Sequence, residues 1–515
     1  MIRHRFGKSP SSFGHPLARA VVSGTAPEEL YAPLKLDDVP SVGARRADVV
    51  AILREKNVAL GNPHVGAMIA KLEHASCRVV ITGQQPGLFG GPLFTFEKLA
   101  GAIALAADIE RKTDAPCVAV FWNQSEDHDL VEINRIEIPK KDGVHRDTAP
   151  LGEPGRCLDH IVVDDTLVAW ADEALRAHWP GVVFPVWLHP VRGERLPDWT
   201  SRILIHAMAD SAFLVAEPGW FRVPAAPLYA NAIRSVERFH AAFAADTERV
   251  RAAGFEPQID ASEPSGLFLV EEDGTRVRLH WDGSWKDARG NPWTESRLVS
   301  LAESNPRALS TSVQIRPLVQ SWLLPVVAQI GGPAEVAYFA QFGALYRAAS
   351  LRCPMIVQRP TSVFLGPKEA AMAEGLGIPL VDVLDDPTGW PNIDRPSAIP
   401  VLAGEHLKAA VAELRAMKLS EPLTRAVDGF AKTLEHAAEK LDGTLRREAE
   451  RAEGVEGDRR TRLAEWVRPK GRPQDRMTTL PDVLARMSIE DFRSWMRALH
   501  PAESRTMIVT TETST

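Results

Sequence analysis

The sequence predicts an α/β protein built on a parallel core sheet, interrupted by an inserted middle section and followed by a helical arm. Three observations carry this. Two short apolar runs, residues 77–83 (CRVVITG) and 115–123 (APCVAVFWN), flank an amphipathic helix, which is the βαβ unit of a parallel sheet. The alternation becomes irregular over residues 140–291 and then returns to apolar strands and helices. From residue 401 the composition shifts toward Ala, Glu, Lys, Leu and Arg, with apolar residues spaced alternately four and three apart.

Each element has a local reason. Residues 42–74 carry apolar side chains at helical spacing, with a break at Gly61-Asn62-Pro63. The first strand ends in a glycine-rich loop, GQQPGLFGG (83–91), and Pro92 opens a helix whose Leu93, Phe96, Leu99, Ile103, Ala106 and Ile109 form one stripe. After the second strand comes an acidic turn, QSEDHDLVEIN. The middle section offers strand candidates HIVVDD, AFLVAEP, GLFLVEEDG and TRVRLHW around a long helix at 228–252. Apolar strand-and-helix character returns at 313–320 (VQIRPLVQ), a loop and helix IGGPAEVAYFAQFGALYRAA, and the strand PMIVQRP (354–360), expected to rejoin the first sheet. A proline- and aspartate-rich loop (385–400) leads to the arm. There Leu407, Val411 and Leu414 form a short seam, and after Pro422 a longer one runs Leu423, Val427, Phe430, Leu434, Ala437 and Leu441. Two ordinary amphipathic helices or a dimerising coil satisfy that pattern equally. A basic segment, RPKGRPQDR (468–476), and a helical tail follow. At about 150 residues per domain the length suits about three units. The expected division is core 1–139, insertion 140–291, core 292–400, coil 401–465, and 466–515 returning to the core.

Composition narrows the partners. Hydrophobic residues make up 45% and charged residues 25%, which excludes collagenous, mucin-like and wholly disordered classes. Sixty Lys and Arg against 67 Asp and Glu leave a net charge of −7, which advertises neither nucleic acid nor an anionic membrane. Cys77, Cys117, Cys157 and Cys353 make no zinc or CxxC spacing and fit a reducing compartment. The basic N-terminus has no apolar segment behind it, and the best apolar stretch, 322–330, is broken by Pro325 and Gln329. A cytoplasmic protein without a membrane span is expected.

Three places could carry chemistry. The loop residues Gly83, Gln84, Gln85, Gly87, Gly90 and Gly91 lie between a buried strand and a helix N-terminus, where backbone N–H groups and the helix dipole suit a phosphate. The loop is neither GxGxxG nor GxxxxGK[ST], and a purely structural turn is the alternative, though two polar amides are odd in a turn that only packs. Lys98, further along the helix, reads from spacing alone as a solvated lysine. Glu126-Asp127-His128-Asp129, at the carboxyl end of the second strand, could hold Mg²⁺, orient an amine or pass protons, or could simply cap a short helix. Asn134, in the same turn, is grouped with the binding residues. Third come Arg316, Gln320, Gly331, Gly332, Glu335, Tyr338 and Gln341. The last three, at i, i+3 and i+6, share one face of a helix starting at Pro333 and suggest a lined pocket.

Taken together, ITGQQPGLFGGPLFTFEKL, PCVAVFWNQSEDHDLVEIN, IRPLVQSWLLPVVAQIGGPAEVAYFAQ and RPKGRPQDR, in this order, resemble the BshC family, the cysteine-adding enzymes of bacillithiol biosynthesis. The resemblance implies a Rossmann-like core related to nucleotidyltransferases and class I aminoacyl-tRNA synthetases, a connecting-peptide insertion, and a coiled coil that makes a homodimer. It implies a ligase that joins the carboxyl of cysteine to the amine of glucosaminyl malate, with ATP consumed through a cysteinyl adenylate. Asp127, His128 and Asp129 would then hold the cysteine ammonium or the attacking amine, with His128 as base candidate. Lys98 would offset charge on the leaving pyrophosphate, and Arg316 would face the malyl carboxylates. The chain departs from the family in carrying Glu97 where a histidine is common before the lysine, which would put an anion near the phosphate loop, and in its C-terminal block after RPKGRPQDR. It has no HIGH and no KMSKS sequence. A non-catalytic nucleotide-binding or scaffold paralogue, and a metal-dependent hydrolase acting through EDHD, are the alternatives.

Overall fold

The structure, a computed structural model, describes residues 2–10, 15–31, 40, 45–140, 143–262, 265–376, 378, 402–417, 419–452, 455–503 and 505–511. The proline- and aspartate-rich stretch 385–400 and the polar end 512–515 lie outside the described residues.

The central sheet contains β1 (Arg78–Gln84), β2 (Cys117–Asn123), β3 (Leu214–Ala216), β4 (Val326–Gly331) and β5 (Met355–Gln358). Their spatial order is β5-β4-β1-β2-β3, and every neighbouring pair is parallel. The βαβ expectation holds: helix α1 (Phe94–Thr113) connects β1 to β2. Val79, Val80, Ile81 and Thr82 are β-branched and buried, which suits a strand covered on both faces. Alternate residues serve opposite cores. Val80 and Phe121 pack with Phe96 and Leu99 of α1, whereas Val79, Ile81 and Val120 pack with Leu228 and Phe339 on the other face. Because the chain builds β2 and β3 on one side of β1 and β4 and β5 on the other, β1 and β4 flank the topological switch point. Open parallel sheets bind ligands in the crevice outside the carboxyl ends of such strands.

Several expectations change here. Residues 313–320 form no strand; they lead into helix α2 (Arg316–Leu323), opened by Pro317, and the strand lies just beyond Pro325. Within 140–291, AFLVAEP supplies β3, an edge of the central sheet, so this stretch does not stand apart from the core. The antiparallel sheet of Leu267–Val270, Arg276–Trp281, Trp285–Asp287 and Pro292–Trp293 also takes in Leu309–Thr311, across the expected boundary. HIVVDD is not a strand, and the long helix is two, Arg222–Arg234 and Val236–Ala252, divided at Ser235.

The C-terminal segment packs on the core. Strand Arg505–Thr511 pairs antiparallel with Ile2–Pro10 and parallel with Ser362–Leu365. Phe492 meets Phe96 of α1 edge-on, with centroids 5.5 Å apart. In the arm, helices Leu402–Ala416 and Glu421–Ala452 pack together, but the seam read from the sequence divides. Val411 and Ala431 are buried, while Leu423, Phe430 and Leu441 remain 54%, 56% and 44% exposed. No described helix is long and apolar enough to cross a membrane.

Candidate active site

The glycine loop is shaped by its own backbone. A Cβ on Gly83 would stand 2.6 Å from the Trp122 carbonyl oxygen of β2, so a side chain there would push the two strands apart. Phe89, Gly90 and Gly91 have φ of 54°, 88° and 85° in succession. Phe89 is held in this costly left-handed region by its ring, which meets Trp199 edge-on at 5.5 Å and stacks with Trp170 at 6.0 Å. The amides of Gly87, Gly90 and Gly91 are already committed, to Thr200 Oγ1, the Gly87 carbonyl and the Leu88 carbonyl. These three glycines therefore give the loop its shape, and its polar contacts come from Gln84, Gln85 and Lys98.

Lys98 is not solvated. It is buried, and its Nζ donates to the Gly83 carbonyl at 3.0 Å and to Gln84 Oε1 at 3.1 Å while pairing with the Glu335 carboxylate. Burial pulls its pKa below the ordinary lysine value, and Glu335 opposes this. Helix α3 (Pro333–Phe339) begins at the end of β4, where Glu335 Oε2 accepts the Gly332 N–H at 2.6 Å as an N-terminal cap. A Cβ on Gly331 would stand 2.8 Å from Glu335 Cβ, so this glycine lets Glu335 fold back over the strand end. Arg316, at the start of α2, donates from Nη2 to the Tyr338 hydroxyl at 3.4 Å, and Gln320 is buried one turn later. Gln341 does not join them. It lies beyond the end of α3, and its amide is used by the Ile259 backbone and Thr247 Oγ1, which makes it a structural bracket.

On the β2 side the EDHD run disperses. Glu126 is fully buried against Arg222, with Nε 2.7 Å from its carboxylate. Asp129 caps the short helix Leu130–Ile133 through the Val131 N–H. Asp127 faces the loop, where Gln85 Nε2 donates to it at 3.0 Å and to Glu132 at 2.8 Å. Burial raises the Asp127 pKa, but the Gln85 amide, the backbone amides of His128 and Asp129, and Arg276 together outweigh it, so the net direction is down. His128 Nδ1 lies 2.9 Å from Arg276 Nη1. Arginine only donates, so Nδ1 accepts and the ring proton sits on Nε2. Burial, then Arg276, pulls the His128 pKa down. This contact leaves the Nε2–H as the ring's donor. Asn134 caps the C-terminal end of the same short helix through its backbone. Among the described residues no three His, Cys, Asp or Glu side chains converge as a metal site.

Glu97 does not face the loop. It is buried on the far side of α1, bound by Arg359, the Ser362 N–H at 2.9 Å and the Ser362 hydroxyl, and Arg359 also holds Asp475 at 2.7 Å. Sequence reasoning missed Arg222, Arg276, Arg359 and Asp475. For Arg359 a signal existed, a cation in an apolar run between strands. Arg276, in an alternating strand, had none.

The crevice therefore has two halves. Lys98, Glu335, Arg316 and Tyr338 lie by the switch point, Asp127 and His128 by β2, and Gln84-Gln85 touches both. A family model described as Bacillithiol biosynthesis BshC, N-terminal Rossmann-like domain, matches residues 32–360, more than half of the chain. A relative from Solibacter usitatus is 27% identical over 465 residues, 87% of this chain and 86% of its own length. One from Koribacter versatilis is 28% identical over 416 residues, 79% and 76% of the two chains. One from Symbiobacterium thermophilum is 30% identical over 372 residues, 66% of each. All three carry the name "Putative cysteine ligase BshC". With the model covering the parallel sheet and both halves of the crevice, the chain belongs to the BshC family, with an N-terminal Rossmann-like domain.

Proposed function

We propose that this chain is a cytoplasmic, ATP-dependent cysteine ligase of bacillithiol biosynthesis that forms an amide between cysteine and the amine of glucosaminyl malate. The observation that carries the reading is the division of charge across Gln84-Gln85, cations Lys98 and Arg316 on one side and the ionised Asp127 on the other. A carboxylate oxygen of cysteine attacks the α-phosphorus of ATP, and pyrophosphate leaves. The sugar amine then attacks the acyl carbon and AMP leaves. Lys98 and Arg316 stabilise the charge that develops on the phosphates, in a crevice where water screens little. Asp127, kept ionised by its donors, holds an ammonium group, and the His128 Nε2–H is placed as a donor to an oxygen of the substrate. Mg²⁺ would arrive on the nucleotide phosphates, since the EDHD carboxylates are taken up by Arg222, Gln85 and a helix cap.

The reading includes a homodimer through the helical arm, supported by the exposed stripe of Leu423, Phe430 and Leu441. The test incubates the purified chain with ATP, cysteine and glucosaminyl malate and measures bacillithiol and AMP. Bacillithiol with stoichiometric AMP is expected. ADP in place of AMP would replace the adenylate by an acyl phosphate. Absence of product, while a family homologue works in parallel, overturns the ligase.

A further inference from the structure

The half-buried ring of Phe94, at the first turn of α1, is surrounded by three cations. Lys98 Nζ lies 5.6 Å from its centroid, and the guanidinium carbons of Arg359 and Arg476 lie at 5.4 Å and 5.5 Å. Two of these are neutralised, Lys98 by Glu335, and Arg359 by Glu97 and Asp475. Arg476 is different. No carboxylate among the described residues pairs with it, and it is exposed at the rim. Arg316, across the crevice, likewise pairs with no carboxylate among the described residues and donates to the Tyr338 hydroxyl. Lys98, Arg316, Arg359 and Arg476 thus stand against Glu97, Glu335 and Asp475, one cation in excess, beside the positive end of a 20-residue helix. Crowded like charges are kept in a fold when a ligand of opposite sign relieves them.

The chain spends structure on holding Arg476 there. The preceding residue, Asp475, is buried and anchored to Arg359, itself clamped to α1 by Glu97. Gln474 is buried as well, its Oε1 accepting the Phe364 N–H at 2.8 Å and its Nε2 donating to the Phe364 and Trp466 carbonyls. Two residues beyond, the Thr478 carbonyl accepts the Leu93 N–H at 2.8 Å, just ahead of α1. Anchors on both sides, with an exposed unpaired arginine between them, are the build of a presented side chain. The segment lies beyond residue 360, outside the matched Rossmann-like domain.

We infer that Arg476, delivered by the C-terminal segment, is an anion-binding residue of the switch-point crevice and closes it over a multiply charged oxyanion, the Glu97–Arg359–Asp475 network acting as its mount. The inference rests on the ligase reading only for which anion is bound, a nucleotide's phosphates or a dicarboxylate.

The test uses the full chain and titrates inorganic pyrophosphate, and separately malate, by calorimetry at low salt into wild type, Arg476→Gln, Arg476→Lys and Lys470→Gln. Lys470 is an exposed cation on the same segment. Loss of one charge-assisted contact predicts a dissociation constant at least about tenfold weaker in Arg476→Gln, partial recovery in Arg476→Lys and no change in Lys470→Gln. The anion that shows this pattern identifies the source. Equal binding by wild type and Arg476→Gln, equal weakening in Lys470→Gln, or no binding of either anion by wild type overturns the inference. Because Arg476 is exposed, unchanged thermal midpoints separate lost binding from lost fold. Arg476-dependent binding in a chain that makes no bacillithiol would sink the ligase and leave this inference standing; active ligase with an indifferent Arg476 would do the reverse.

Discussion

Glu97 gives the sharpest test of how the crevice is built. Its carboxylate meets three donors, the Arg359 guanidinium and the N–H and hydroxyl of Ser362, and is fully buried. Replacement by alanine orphans the Ser362 amide and leaves Arg359 with Asp475 alone. Breaking a buried pair from one side costs about 3–5 kcal/mol. Glutamine should be far milder. Burial and the neighbouring Asp475 push the Glu97 pKa well up, against the pull of Arg359 and Ser362, and an amide of the same shape keeps an acceptor oxygen for these donors. It leaves one donor unmet, at about 1–2 kcal/mol. Urea unfolding followed by tryptophan fluorescence measures both, and a cycle with Arg359→Met isolates the pair, with a coupling of about 1 kcal/mol or more expected. A Glu97→Ala variant within about 1 kcal/mol of wild type, or strictly additive double mutants, would refute the claim that this network holds α1 to the C-terminal segment.

Lys98→Met should lower kcat/KM of the ligation by about 10²–10³, and because it leaves the Glu335 carboxylate with the Gly332 amide as its remaining partner it should also lower the thermal midpoint; activity within threefold of wild type, measured well below that midpoint, contradicts the proposed role. Glu217, buried at the end of β3 beside Arg195, is pushed by burial from an ordinary glutamate value near 4.5 up to about 7. The native state then keeps a proton that the unfolded chain releases, so stability falls as pH rises from about 4.5 to 7, by about 3 kcal/mol in all. Glu217→Gln should flatten the unfolding free energy over that window, and an unchanged slope rejects the assignment. Phe430→Glu should yield monomers by sedimentation, with the core's thermal transition intact, whereas a persisting dimer places the interface elsewhere.

What the sequence disclosed, and what it hid, follows from the range of the interactions. The βαβ unit was legible because hydrophobic periodicity is local, and the loop stood out because glycines mark backbone that side chains cannot occupy. Lys98 was misjudged for the same reason in reverse. Its partner Glu335 is more than 200 residues away, and no local spacing announces a buried ion pair assembled across a sheet. Gln341 failed because i+6 presumes an unbroken helix, and α3 ends at Phe339. Glu97 reads as an anion beside a phosphate loop from its place next to Lys98, but consecutive helix positions point about 100° apart. Lys98 and Glu97 therefore lie on different faces of one buried helix end, the first turned to the crevice and the second to its support.

That division suggests why residues beyond the Rossmann-like domain matter to its site. The first turn of α1 is buried on several sides, so a group facing the crevice can be fixed only if the opposite face is fixed too. The Rossmann sheet supplies one face, through Gly83 and Glu335. The other is supplied by Arg359, Ser362 and Asp475, and the strand that starts at Ser362 is paired to Arg505–Thr511, which in turn pairs with Ile2–Pro10. Both ends of the described chain thus converge behind α1. A disturbance of this three-stranded sheet, whose strands all lie more than 70 residues from the glycine loop in sequence, reaches Lys98 through a single helix, and it should show as loosened anion binding before it shows as loss of the central sheet.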